Sequence, residues 1–387
     1  MTRLSSLLDP TRRGFEAENL DASLRDKVIG QDEAIRQIVE VYQTYLAGFA
    51  SPGRPVGNFL FLGPTGTGKT RLVEATAESL AGNPRAVVKV DCGEFQHSHE
   101  IARLVGSPPG YLGHRETKPY LSQEALNQFH TDKLKLSFVL FDEIEKASDA
   151  LWNLLLGIMD KATLTLGDNR QVDFSRSVIF MTSNLGAREM TALAAPGLGF
   201  AAQAPRVENL DGKIERAGVE AARRRFSPEF LNRIDKVVVF HPLGGAELRR
   251  ILDLELDALE NRWRGVAPFA PLALSVSDAA KAFLLEEGTD TRYGARPLKR
   301  TIERTLVHPV SNLAASGQLR GGDSIRVDFD PRIRQLLFFK EGESADPAAF
   351  AGPAAEPAEE QEGAVAAGAG VRPIRMSAAR KPAGPGK

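Results

Sequence analysis

Residues 58–70 read Asn-Phe-Leu-Phe-Leu-Gly-Pro-Thr-Gly-Thr-Gly-Lys-Thr, an apolar run followed by a glycine-rich loop. The apolar run predicts a buried strand, and apolar residues at helical spacing from Leu72 to Leu80 predict a helix after the loop. Between a strand and a helix, the pattern G-x-x-x-x-G-K-T binds nucleoside triphosphates, because its glycines let backbone N–H groups close around phosphate oxygens. A chance match in a glycine-rich loop is the alternative, which the strand–loop–helix order disfavours.

This loop predicts a site for two cofactors, ATP and Mg²⁺. Lys69 is expected to reach the β- and γ-phosphates, and the Thr70 hydroxyl is expected to ligate Mg²⁺. The predicted nucleotide-binding residues of the loop are Gly63, Pro64, Thr65, Gly66, Thr67, Gly68, Lys69 and Thr70.

Two more apolar runs end in polar side chains that suit hydrolysis. Residues 137–141 are followed by Asp142, expected to hold Mg²⁺ and its hydration shell, and by Glu143, expected to polarise the attacking water as general base. Residues 177–181 lead to Asn184, whose amide is expected to orient that water beside the γ-phosphate. The alternatives are a solvated acidic turn and an ordinary strand end.

Several motifs occur in the order typical of AAA+ proteins. In chain order they are Val28-Ile-Gly-Gln-Asp-Glu-Ala-Ile35, the phosphate loop, Gly106-Ser-Pro-Pro-Gly-Tyr-Leu-Gly113, Phe141-Asp-Glu-Ile-Glu-Lys-Ala147, Val172-Asp-Phe174, Thr182-Ser-Asn184, Phe230-Leu-Asn-Arg-Ile-Asp235 and Gly294-Ala-Arg-Pro-Leu298. Over residues 25–340 the chain resembles the second ATPase module of the Clp unfoldases, the group that contains ClpA, ClpB and ClpC. Two-ring members carry an N-terminal domain and a first ATPase module ahead of this second module. In this sequence the ATPase pattern begins near residue 25, so we expect a stand-alone, single-ring protein.

The resemblance implies a role for each matching residue. Asn184 corresponds to the first sensor of the γ-phosphate, and Arg296 to the second sensor in the small domain. Arg233 corresponds to the arginine finger that completes the site of a neighbouring subunit. Val28 and Ile29 are expected to line the adenine pocket. The alternatives are surface ion pairs for the two arginines and a plain hydrophobic cluster at a helix entry for the two apolar residues.

Residues 108–113 are too rich in proline and glycine for a helix interior, so we expect an exposed loop. In the Clp family this segment projects into the axial pore of a hexamer and grips an extended polypeptide. The resemblance therefore implies that Tyr111 and Leu112 contact substrate in the pore. The alternative is that Tyr111 packs on the core beneath the loop.

Two further positions bear on partners. Leu198, Gly199 and Phe200 resemble the tripeptide by which ClpA, ClpC and ClpX dock on the ClpP peptidase, although an arbitrary apolar loop could supply it. Ser227 stands where relatives have an arginine, which predicts a weaker contact with the neighbour's nucleotide.

The alternation of strand and helix patterns predicts an α/β fold, a doubly wound parallel sheet carrying the phosphate loop, plus a small, mainly helical lid domain with a β-hairpin edge. The expected domains are a lead-in segment at 1–24, a large ATPase domain at 25–240, the lid at 241–340 and a disordered tail rich in Ala, Pro and Gly at 341–387.

Composition limits the partners and the compartment. The formal net charge of −1 gives no basic surplus for nucleic acid or an anionic membrane, and no apolar run reaches the ~20 residues of a spanning helix. The single cysteine, Cys92, fits a reducing cytoplasm and is expected to be buried and inert. His97 and His99 are expected to be solvated loop residues without metal.

Together these features predict an ATP-hydrolysing, ring-forming protein unfoldase of Clp type that threads polypeptide through an axial pore. Its expected partners are protein substrates, five further copies in a homo-hexamer, and a ClpP-type peptidase or an adaptor. The alternatives are a non-proteolytic remodeller of one complex and a regulatory AAA+ scaffold that uses ATP as a switch.

Overall fold

A five-stranded parallel sheet lies at the centre of the large domain. The computed structural model describes residues 9–107, 119–194, 210–265, 272–290 and 294–341. The strands of the sheet are β1 (Gly57–Leu62), β2 (Val88–Asp91), β3 (Ser137–Asp142), β6 (Ser177–Ser183) and β7 (Lys236–Val239). They lie in the order β2-β3-β6-β1-β7, and every neighbouring pair is parallel. The three apolar runs read from the sequence, residues 58–62, 137–141 and 177–181, are thus confirmed as strands to within two residues at each end.

Helices cover both faces of this sheet. They are α1 (Phe15–Lys27), α2 (Asp32–Leu46), α3 (Lys69–Ala81), α4 (Ala102–Val105), α5 (Gln123–Asn127), α6 (Asp149–Lys161), α7 (Ala187–Ala194), α8 (Leu210–Arg225) and α9 (Pro228–Leu231). Every residue of β1 and β6 is buried, as expected of central strands packed on both faces. Aromatic rings of Phe59, Phe61, Phe180 and Phe240 lie with centroids 5.0 to 5.8 Å apart on one face. The predicted doubly wound α/β fold is confirmed.

Helix α1 is part of the core of the large domain. Its buried residues Ala17, Leu20 and Leu24 belong to the same hydrophobic cluster as α2 and the phenylalanines of β1. The helix continues to Lys27, past the expected boundary at residue 24. The domain limits themselves remain a prediction.

A short β-hairpin in the large domain escaped the sequence analysis. It consists of β4 (Thr163–Thr165) and β5 (Gln171–Asp173), which pair antiparallel. Each strand is only three residues long, which is too short for an alternating pattern to stand out. The hairpin leads into Phe174, which is fully buried.

The small domain combines helices with a three-stranded sheet. Its elements are α10 (Gly245–Arg264), β8 (Ala273–Val276), α11 (Asp278–Gly288), α12 (Arg296–Ile302), a π-helical turn (Glu303–Val307), α13 (His308–Ala315), β9 (Ser324–Asp330) and β10 (Gln335–Glu341). The predicted hairpin is confirmed as β9 and β10, while β8, which pairs parallel to β9, was not expected. Pro309 gives a reason for the π-helical turn, since proline has no N–H and its ring crowds the carbonyl four residues before it.

Gly288 tests how tightly the small domain is packed. A Cβ atom at this position would lie 2.7 Å from Leu298 Cδ1 and 3.0 Å from Leu298 Cα. Gly288→Ala should therefore destabilise the chain by about 1–3 kcal/mol, because α11 and α12 must separate. Gly245→Ala is the control, since its Cβ would meet nothing within 4 Å, and it should change stability by less than about 0.5 kcal/mol. Equal urea midpoints for the two variants would contradict this packing.

Candidate nucleotide site

The phosphate loop connects β1 to α3 through three glycines with left-handed backbone angles. Their φ values are +145° at Gly63, +79° at Gly66 and +102° at Gly68. A Cβ at residue 63 would lie 2.5 Å from the carbonyl oxygen of Phe240, so a side chain is excluded there. The sequence therefore folds into a loop that wraps the N-terminus of α3, where N–H groups and the helix dipole favour an anion.

Lys69 lies inside this loop. It is only 7% exposed, and its ammonium donates to the carbonyl oxygens of Gly63 (2.7 Å) and Pro64 (2.9 Å) and to Asn184 Oδ1 (3.0 Å). Burial lowers the pKa of Lys69 to about 8, against the attraction of the Glu145, Asp142 and Glu143 carboxylates. Gly63 and Pro64 thus position the lysine, while Thr65 to Thr70 line the cleft.

The acidic pair follows β3, as predicted. The Thr182 hydroxyl on the neighbouring β6 donates to Asp142 Oδ1 and accepts from the Glu143 N–H at 3.1 Å. Glu143 has a φ of +57°, a strained conformation for a residue with a side chain. Its carboxylate accepts from Asn184 Nδ2 (3.2 Å) and pairs with Lys146 (2.5 Å). The sheet therefore brings the proposed base and the proposed sensor amide into contact.

These residues line one cleft of about 900 Å³. Val28 and Ile29 contribute to its apolar end, together with Leu243, Ile251 and Leu254. Arg296, the first residue of α12, lines the cleft from the small domain. This domain reaches the loop directly, since the Ala295 N–H donates to the Gly66 carbonyl at 3.2 Å. An apolar slot next to a phosphate loop suits a base and a triphosphate of one nucleotide.

Two residues of the site carried no assigned role in the sequence analysis. Gln31 is 3% exposed, and its amide nitrogen donates to the carbonyls of Thr67 (3.2 Å) and His241 (3.1 Å). It therefore ties the phosphate loop to the start of the small domain. Lys89 on β2 lines the cleft and lies 3.5 Å from Asp142 Oδ2. Local sequence patterns do not show the contacts of Gln31, because its partners are 36 and 210 residues away along the chain.

The residues proposed for Mg²⁺ are chemically suited to it. Thr70 and Asp142 line the same cleft. Magnesium at such sites typically takes one or two oxygen ligands from the protein, and its remaining ligands are substrate phosphates and water. Among the residues that the structure describes, no group of three or more His, Cys, Asp and Glu side chains could by itself hold a metal ion.

Arg233 stands apart from this cleft. It follows α9, and its guanidinium pairs with Asp160 at the end of α6 (2.5 Å) and with Glu229 (3.1 Å). The hydroxyl of Ser227 accepts from the Phe230 N–H at 3.2 Å and caps α9. The serine that replaces the family's arginine therefore starts the helix that leads to Arg233.

Some predicted residues lie outside the described part of the chain. These are the pore residues Tyr111 and Leu112, the tripeptide Leu198, Gly199 and Phe200, and the tail from residue 342. Cys92 is described and fully buried, and burial raises the pKa of its thiol, as expected of an inert side chain. Within the described ranges, no helix combines the length and the apolar character needed to cross a bilayer.

Comparison with known proteins agrees with the motif order. Residues 54–237 match the model of the AAA domain (Cdc48 subfamily), and residues 243–327 match that of the C-terminal, D2-small domain of ClpB protein. The ATP-binding subunit ClpC of an ATP-dependent Clp protease is 39% identical in Staphylococcus saprophyticus and 38% in Staphylococcus epidermidis. Each alignment covers 81% of this chain and 36% of the relative, so the chain spans about a third of their length.

A solved structure gives the same result. The closed-state cryo-electron microscopy reconstruction of Hsp104 with ATPγS and FITC casein superposes with a TM-score of 0.69 at 27% identity. The match covers 84% of this chain and 52% of the Hsp104 chain. The family models, the ClpC relatives and this structural match agree, and the chain belongs to the AAA+ ATPases of the Clp family.

Proposed function

We propose that this chain is an ATP-driven protein unfoldase that works as a ring. The observation that carries the proposal is the meeting of Lys69, Glu143 and Asn184 in one cleft that Arg296 lines from the small domain. A phosphate anchor, a carboxylate base and an amide are the groups that hydrolysis of a γ-phosphate requires. Arg296 would sense the nucleotide and move the small domain.

In the proposed reaction, the Lys69 ammonium leaves its carbonyl partners for the β- and γ-phosphates. Glu143 accepts the proton of the attacking water, while Asn184 holds that water in line. Mg²⁺, held by Thr70 and Asp142, would neutralise phosphate charge. The Glu143 carboxylate is restrained by Lys146 and Asn184, so it is already oriented before the nucleotide enters.

The ring follows from Arg233. This arginine does not line the cleft of its own chain, and the Clp resemblance assigns it to a neighbour's nucleotide, which requires a head-to-tail interface of the kind that forms rings when its rotation closes. The Clp resemblance implies six subunits, a homo-hexamer. Tyr111 and Leu112 would then face the central pore and pull the polypeptide, and residues 198–200 would dock a ClpP-type peptidase.

The low pKa of Lys69 predicts that nucleotide affinity depends on pH. Below about pH 8 the lysine is charged in the free protein and can attract the triphosphate directly. Above about pH 8 a proton must be taken up on binding, so affinity should fall by up to about tenfold for each pH unit. Isothermal titration with MgATP from pH 7 to 9.5 measures this. Lys69→Arg keeps its charge throughout and should show a flat profile; equal slopes in both proteins would contradict the assignment.

If Arg233 acts on a neighbour's nucleotide, two inactive variants should regain ATP turnover when they are mixed. Arg233→Ala should lower ATP turnover by two orders of magnitude or more, given the typical 10³- to 10⁵-fold effect of such arginines. Glu143→Gln subunits, inactive alone but retaining Arg233, should restore activity when mixed with Arg233→Ala subunits. The double variant Glu143→Gln/Arg233→Ala is the control and should not rescue. Rescue by neither protein would argue against action on a neighbour.

The pulling role is tested by unfolding of a tagged, stably folded fluorescent protein. Tyr111→Ala should keep ATPase activity within about threefold but abolish unfolding, because it removes only the ring that grips. Tyr111→Phe retains the ring and should retain unfolding. Parallel loss of ATPase and unfolding in Tyr111→Ala would remove the gripping role.

A ClpP-type peptidase in the same assay distinguishes the two forms of the proposal. Peptide release that depends on residues 198–200 would identify a proteolytic partner. Unfolding without release would instead identify a remodeller.

A further inference from the structure

Arg225, the last residue of α8, makes two contacts that the reaction described so far does not use. Its guanidinium carbon lies 4.4 Å from the ring centroid of Trp152 on α6. Its Nη2 donates to the carbonyl oxygen of Glu145 at 2.8 Å. A flat, delocalised cation can stack on an aromatic face and donate a hydrogen bond in its own plane at the same time.

Trp152 holds the adjacent carbonyl. Its Nε1–H donates to the Ile144 oxygen at 3.0 Å. The stacked pair therefore binds two consecutive carbonyls of the turn Ile144–Lys146, which directly follows Glu143. Glu143 has its strained φ of +57° at this point, and such a conformation persists only where surrounding contacts fix the backbone on both sides. Thr182 fixes the preceding side through the Glu143 N–H.

The Arg225–Trp152 pair also packs against the segment that carries Arg233. The rings of Phe226 and Phe230 lie 5.5 and 6.3 Å from that of Trp152. At the other end of α6, Asp160 pairs with Arg233. Helix α6 thus contacts both the turn after Glu143 and Arg233, the arginine proposed to act on the neighbouring subunit.

We infer that Arg225 is a positioning residue for hydrolysis: with Trp152 it holds the turn after Glu143, so that this carboxylate stays aimed at the attacking water. The inference rests on the proposed role of Glu143. Arg225 lies outside the residues that line the cleft, so its loss should leave nucleotide binding intact and lower only the chemical step.

Steady-state and binding measurements on the full chain test this. Arg225→Ala should lower kcat for ATP about tenfold, with the affinity for a fluorescent ATP analogue within twofold and an unchanged urea midpoint. Arg225→Lys can still donate to the Glu145 carbonyl but lacks the flat face, so about a threefold loss is expected. Arg224→Ala is the matched control, because among the residues that the structure describes this neighbouring arginine pairs only with Glu220 on its own helix (3.4 Å). Its kcat should not change.

Trp152 emission supplies a second readout, measured as the change on adding nucleotide to each variant, so that the direct effect of removing the stacked guanidinium is subtracted. In a Trp263→Phe background Trp152 is the remaining tryptophan of the chain. Adding a non-hydrolysed ATP analogue should change its emission, because Trp152 holds the turn that follows Glu143; an unchanged emission in this background would count against the inference. Arg225→Ala should remove at least half of that change, and Arg224→Ala should preserve it.

The outcomes separate this inference from the proposed function. Glu143→Gln, measured in parallel, should be inactive; normal turnover in that variant would overturn both the base assignment and the inference. With Glu143→Gln inactive, normal kcat in Arg225→Ala would overturn only the inference. A loss of nucleotide affinity equal to the loss of kcat would also overturn it, since the residue would then act on binding.

Discussion

The burial of the Lys69 ammonium among neutral oxygens is the interaction on which the rest of the site depends. Its hydrogen-bond partners are two backbone carbonyls and the Asn184 amide oxygen, none of which carries a charge. Keeping this lysine charged costs the folded, nucleotide-free chain about 3 kcal/mol at neutral pH, since its pKa falls from 10.5 to about 8. The cost is full below about pH 8 and disappears as pH rises to 10.5. An anionic ligand removes it, which favours a triphosphate over a neutral ligand.

The two carboxylates that line the cleft have partners other than Lys69, and Glu145, which also attracts the lysine, accepts from the Asn184 N–H at 3.0 Å. Asp142 accepts from Thr182 and lies near Lys89, while Glu143 pairs with Lys146. If either carboxylate formed a close pair with Lys69, the lysine would be neutralised before any phosphate arrived. The backbone of Glu143 is strained at the same point, and such strain persists only where the surrounding contacts fix the chain.

The sequence predicted those parts of the fold that depend on local patterns. The phosphate loop and the three central buried strands β1, β3 and β6 were recognisable because apolar runs, glycines and polar strand ends lie within a few residues of one another. The bridge made by Gln31 joins residues up to 210 positions apart, and the stacking of Arg225 on Trp152 crosses two helices. Such contacts depend on the tertiary path of the chain. Strand β8 was missed for a related reason: its half-exposed residues become a strand only by pairing with β9.

The surface position of Arg233 bears on its proposed action at the nucleotide site of a neighbouring subunit. Its ion pairs with Asp160 and Glu229 lie at the surface, where such pairs stabilise little because water and salt screen them. An arginine at a transferring phosphoryl group raises the rate by a factor of order 10³–10⁵. The second effect is much larger than the first, so under the proposed function Asp160 would not prevent the arginine from reaching a neighbour's nucleotide. Asp160 lies on α6 and pairs with Arg233, and the same helix contacts the turn after Glu143 through Trp152. Through α6, each subunit would thereby connect the turn after its own Glu143 to the Arg233 that it supplies to the neighbouring subunit.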